Sequence, residues 1–188
     1  MRSLRESARF ALLCGALLAG GCTTRYVGNS PRELELAHDD GRPAQRPVLP
    51  VSSYELLLKQ EPNLPAYRLL RLRFLVAQPG RLVLNVYDNG PTGKPGKLLH
   101  SIDRSYGAEV TSNGNDGKWV VETLPELPLQ RGPLWVGLGV SDLTSEARVW
   151  ASSNDSGAVF QRDTQEQTAI MSTPVHYTPM VRLAVQPE

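Results

Sequence analysis

The stretch Tyr67-Arg68-Leu69-Leu70-Arg71-Leu72-Arg73-Phe74-Leu75-Val76 decides the fold. Leu70, Leu72, Phe74 and Val76 fall on one side of an extended chain and Arg71 and Arg73 on the other, a period of two that belongs to a half-buried strand. The pattern repeats at once: Leu82, Leu84 and Val86 alternate with Val83, Asn85 and Tyr87. A loop rich in breakers, Asp88 to Gly96, then leads into Lys97-Leu98-Leu99-His100-Ser101-Ile102. Working outward, Leu34 and Leu36 alternate with Glu33 and Glu35 ahead of a turn at Asp39-Asp40-Gly41. Further strands are expected at Trp119 to Leu124, Leu134 to Val140, Arg148 to Ser152, Ala158 to Arg162 and Met180 to Val185. Pro125, Pro128 and Pro133 lie between these runs, where a missing donor breaks no ladder. About eight to ten short strands at even spacing predict an all-β chain folded as a single antiparallel β-sandwich. Ser52 to Gln60, SSYELLLKQ, reads as a helical turn or an irregular connection.

The amino-terminal segment has a different grammar. Arg2, Arg5 and Arg9 precede the apolar run from Phe10 to Leu18, and the small residues Ala19-Gly20-Gly21 precede Cys22. Basic, apolar and small in that order is the pattern of an export signal. The apolar run is about half of the roughly 20 residues a spanning helix needs. The context of Cys22 resembles the lipobox of a bacterial lipoprotein, with Ala19 where that pattern prefers leucine. The resemblance implies cleavage before Cys22, lipidation of Cys22 and a mature chain that begins there, tethered to a membrane by its acyl chains. A single chain holds reversibly and two or more hold stably, at about 0.8 kcal/mol per buried methylene. In Gram-negative members of that class an aspartate after the cysteine favours the inner membrane; Thr23 stands here, which implies the outer membrane, on its periplasmic or its cell-surface face. Residues 1–21 then form the signal peptide, 22–32 the acylated cysteine with a polar flexible tether, and 33–188 the sandwich domain. As a random coil, ten tether residues would reach roughly 17 to 19 Å.

Charge and cysteine count exclude some functions. The 20 basic and 19 acidic residues fall to 17 and 18 once the three arginines and one glutamate of residues 1–21 are gone. A near-neutral chain with scattered Lys and Arg has no electrostatic footprint for nucleic acid. Of the two cysteines, Cys14 leaves with the signal and Cys22 is acylated. No thiol then remains for a disulfide, a metal or nucleophilic catalysis.

Six fragments, in order, are similar to a recurrent all-β domain of secreted and surface-anchored bacterial proteins, usually an accessory module. They are Asp39-Asp40-Gly41, Val86-Tyr87-Asp88, Gly93-Lys94-Pro95-Gly96, Trp119-Val120, Trp135-Val136-Gly137 and Met180-Val181-Arg182, and the resemblance spans residues 34 to 187. It implies a jelly-roll-like sandwich related to carbohydrate-binding modules, an implication about fold and not about function.

Candidate chemistry is sparse. His38, His100 and His176 lie in separate elements without the spacing of a metal site, and no GxSxG elbow supports a Ser-His-Asp hydrolase, although His176 and Ser172 can be paired on paper. Asp39 and Asp40 point to opposite faces of an extended chain, poor placement for an acid-base pair. They, Asp88 with Asn89, or Asn154 with Asp155 offer oxygens for a structural calcium, but turn formation is the expected role. Trp119, Trp135, Trp150 and Tyr87 would form either an exposed sugar-stacking platform or part of the core, with core expected for at least two of the three tryptophans. Gly137 and Gly139 share a face with Trp135, which predicts that a ring or another backbone packs closely there. No residue pattern calls for a cofactor. The expectation is a non-catalytic outer-membrane lipoprotein that binds a glycan or an envelope protein, with a structural subunit of a secretion or motility complex as the alternative and a hydrolase as the least favoured reading.

Overall fold

The computed structural model describes residues 23–26, 33–44, 54–111, 118–140, 144–154, 156–157, 159–163, 171–174 and 177–188. Among them run fourteen strands: β1 (Thr23–Tyr26), β2 (Leu34–Ala37), β3 (Tyr54–Gln60), β4 (Tyr67–Gln78), β5 (Gly80–Asn89), β6 (Pro95–Tyr106), β7 (Trp119–Thr123), β8 (Leu134–Val140), β9 (Arg148–Val149), β10 (Ala151–Ser152), β11 (Val159–Asp163), β12 (Met171–Pro174), β13 (Thr178–Pro179) and β14 (Val181–Pro187). One 3-10 turn, Ala108–Val110, follows β6. The chain is an all-β antiparallel sandwich, as its alternation predicts. One sheet has the order β1-β2-β14-β4-β7 with β9 also on β4; the other has the order β12-β11-β3-β8-β5-β6; β10 and β13 form a separate pair.

The core lies between the sheets, where Leu36, Leu72, Phe74, Val76, Val181 and Leu183 of the first meet Leu56, Leu58, Leu82, Leu84, Val86 and Leu138 of the second. Full burial of each such side chain contributes about 1.5 to 3 kcal/mol. Phe74 and Tyr106 meet edge to face, 5.3 Å between centroids, where β4 and β6 face each other.

Three sequence expectations change. Tyr54–Gln60 is a strand, not a helical turn or connection: Leu56 and Leu58 enter the core while Glu55 and Leu57 are buried on the opposite face. With both faces covered, the alternation that would reveal a strand is lost. The second change is at Leu70, which is only half-buried, whereas Leu69 is in the core. A β-bulge opposite Ala184 and Val185 displaces Leu70 from the ladder, so the inward series is Leu69, Leu72, Phe74, Val76. Third, the run from Arg148 to Ser152 is two short strands around Trp150, one on β4 and one on β13.

β1 lies within the segment read as a tether and runs antiparallel to β2, with Thr23 opposite Ala37 and Tyr26 opposite Leu34.

Candidate functional site

Two features stand apart from the core. The first is a charged cluster on the outer face of the six-stranded sheet led by β12. β3 carries Glu55 there, β5 carries Asn85 and Tyr87, β8 carries Trp135 and Gly137, and β11 carries Phe160 and Arg162, because these positions alternate with core residues on each strand. The Glu55 carboxylate accepts hydrogen bonds from Asn85 Nδ2 at 2.8 Å and from the Tyr87 hydroxyl at 3.1 Å, and it is paired with the Arg162 guanidinium. Arg162 Nη2 also donates to the Tyr87 hydroxyl oxygen at 2.6 Å. Gly137 makes room for this cluster, since a Cβ there would collide with the Glu55 carboxylate. The neighbour expected as a ring or a backbone is therefore a carboxylate.

Burial, and then the neighbouring Glu55 charge, push the Tyr87 hydroxyl up to about 12. Burial alone would lower Arg162, but Glu55 and Tyr87 override it and hold the guanidinium above its ordinary range. The cluster is an internally neutralised ion pair with its hydrogen bonds made by neighbouring strands.

Beside it, Trp135 is 1% exposed, packed edge to face on Phe160 at 5.7 Å and against Leu57 and Tyr87, with its Nε1 donating to Asn89 Oδ1 at 3.2 Å. Trp150 is also buried, with Leu75, Ala77 and Met180. Two of the three tryptophans are thus interior. Trp119 is half-buried and capped by Arg182, 4.2 Å from the ring centroid, and by Arg73. The four aromatic residues do not form an exposed platform.

The second feature is a groove of about 630 Å³ where β4, β7 and the segment after β7 meet. The bulge at Leu70 builds it: the displaced Leu70 carbonyl accepts the Leu124 amide at 2.9 Å, and Pro125 ends the ladder one residue later. Leu69, Leu70, Leu124 and Leu127 give an apolar floor, and Glu33, Arg68, Arg71 and Glu126 a charged rim. Arg71 pairs with Glu33, and Arg68 reaches Glu126 at 3.5 Å and Glu188 at 2.7 Å. The two Arg68 pairs are largely exposed, so each contributes about 0 to 1 kcal/mol and is easily exchanged for a partner's charges, whereas Glu33 in the Arg71 pair is mostly covered. Sequence reading missed the groove because it placed Leu70 inside.

The other sequence candidates have structural roles or lie elsewhere. Asp39 Oδ1 accepts the Gly41 amide and Asp40 Oδ1 the Arg42 amide, each at 2.9 Å, so the turn-forming reading holds. Asp39 also receives Arg182 Nη2 at 2.6 Å, and Arg182 Nη1 donates to Glu35 at 3.0 Å. Asp88 accepts the Lys97 amide at 2.6 Å. Asn154 Nδ2 donates to the His38 carbonyl at 2.5 Å. His38 follows β2 and His100 lies on β6 of the opposite sheet; burial lowers His38 below its ordinary value, against the backbone of Lys59 and the charges of Glu61 and Asp39, which raise it. His176, Asp155 and Cys22 lie outside the described residues, as does the Ser172 side chain. No group of three or more His, Cys, Asp or Glu side chains poised to hold a metal occurs among the described residues, and no helix there is long and apolar enough to cross a membrane.

No model of a known protein family matches the chain, and no curated protein matches it.

Proposed function

We propose that this chain is a non-catalytic outer-membrane lipoprotein, acylated at Cys22, whose β-sandwich binds a component of the envelope. Its address rests on the basic, apolar and small-residue order that ends at Cys22. Its task rests on the leucine-floored, charge-rimmed groove beside the Leu70 bulge. Between the two partner classes, glycan or envelope protein, the groove favours protein. Sugar rings are held by exposed aromatic faces, and here Trp135, Trp150 and Tyr87 are buried while Trp119 is capped by two arginines. An apolar slot flanked by exchangeable ion pairs suits an apolar side chain of a polypeptide with charges on either side.

A photo-crosslinking amino acid at Leu127, in cells, together with an array of glycans and peptidoglycan fragments tests the reading. Adducts to one envelope protein that vanish with Leu70→Arg support it. Strong array binding with no adduct moves the partner to the glycan class. Silence in both removes the binding role.

A further inference from the structure

The geometry points to one corner of the first sheet, the turn from His38 to Arg42, as the surface that rests on lipid, with the leucine groove held at the opposite corner. This rests on the proposed acylation of Cys22. β1 is the outermost strand of its sheet, and its first residue, Thr23, stands opposite Ala37. Residue 22 is therefore one peptide away from that rung, and consecutive Cα atoms are about 3.8 Å apart. A free ten-residue tether would let the domain tumble over roughly 17 to 19 Å. Pairing of Thr23–Tyr26 with β2 removes most of that freedom and ties the acyl chains to the corner where β2 ends.

The register places the groove from there. Ala37 is level with Arg182 and, on β4, with Arg73, whereas Leu69 lies level with Val185 and the bulged Leu70 falls between that rung and the Arg71–Ala184 rung. That is roughly 10 Å along the strands and, across the three steps from β1 to β4, roughly 14 Å sideways. The corner itself is polar. Asp40, Gly41 and Arg42 are exposed, and Arg42 supplies a cation for lipid phosphate. Acylation at this corner leaves the groove open to a partner that approaches from the aqueous side.

The mature lipidated protein, reconstituted in vesicles of phosphatidylethanolamine and phosphatidylglycerol, is labelled on a single introduced thiol at Asp40→Cys, Arg42→Cys or Glu126→Cys, with headgroup-quencher lipid present. All three positions are exposed, and Cys22 is blocked by its acyl group. The expected result is several-fold stronger quenching at positions 40 and 42 than at 126. Equal quenching at the three sites, or the reverse order, in protein that floats with vesicles overturns the orientation while leaving the anchor intact. Protein that does not float and carries no acyl mass on Cys22 overturns the anchor, and the orientation with it.

Discussion

Glu55 lies over Gly137: its carboxylate occupies the space that a side chain on the central strand β8 would fill, and it is held there by Asn85 and Tyr87 of β5 and Arg162 of β11. A methyl group at position 137 must therefore displace a carboxylate with three partners. Gly137→Ala is expected to cost about 1 to 3 kcal/mol, the range for overpacking a filled site. Equilibrium urea unfolding measures it, and a neutral result would mean that the carboxylate moves aside freely. Gly139→Ala is the matched control, because the nearest atom to a Cβ there is the Tyr54 carbonyl oxygen at 3.8 Å.

Removing one side of the buried pair is expected to be worse than removing both. Glu55→Leu leaves the Arg162 charge without its carboxylate, a loss of about 3 to 5 kcal/mol, whereas Glu55→Leu with Arg162→Met replaces the pair by apolar bulk and recovers much of that loss. The double-mutant cycle reads the difference. Equal destabilisation by the single and the double variant would contradict the pairing.

Stability is expected to fall at both ends of the pH scale. Burial lowers His38 in the folded chain, so on acidification through about 6.5 the unfolded chain takes up a proton that the folded chain refuses, and stability drops until the lower folded value is reached. At the alkaline end the unfolded tyrosine ionises near 10.0 and folded Tyr87 only at about 12, so stability is lost as pH rises across that interval. Tyr67 and Tyr106, also raised chiefly by burial, add to the same loss. Urea midpoints against pH check both limbs. His38→Gln should flatten the acid limb; an acid limb left unchanged by that substitution would assign the proton elsewhere.

Most of the architecture is legible in the sequence because period-two alternation survives wherever one face of a strand meets the core and the other meets charge, as at Arg71, Leu72, Arg73 and Phe74. It fails where both faces are covered. Glu-Leu-Leu-Leu-Lys at positions 55 to 59 consists of good helix formers, and only pairing with β11 and β8 on either side makes it a strand. It also fails at the Leu70 bulge, which no local pattern announces and which builds the groove. The Asp39-Asp40-Gly41 turn was readable from turn chemistry alone. That Glu55 would fill the space above Gly137 was not, since the two residues lie on different strands far apart in the chain.

Binding at the groove is expected to be separable from folding. Leu127 is half-buried at the edge of the core, and Leu127→Asp places a charge on the apolar floor. Partner affinity should fall at least tenfold, about 1.4 kcal/mol or more. Co-purification from cells and thermal unfolding, run side by side, check this. Capture that persists at full strength in a folded Leu127→Asp protein would place the partner elsewhere on the surface.

The proposed address of the protein depends on where the mature chain begins and what it carries. Intact-mass and amino-terminal peptide spectra of the protein purified from membranes measure both at once. The expected result is a chain that starts at Cys22, with a diacylglycerol on the sulfur and an acyl group on the amine, and that is lost from membranes in Cys22→Ser. A mature terminus elsewhere, with an unmodified Cys22 thiol, would contradict it.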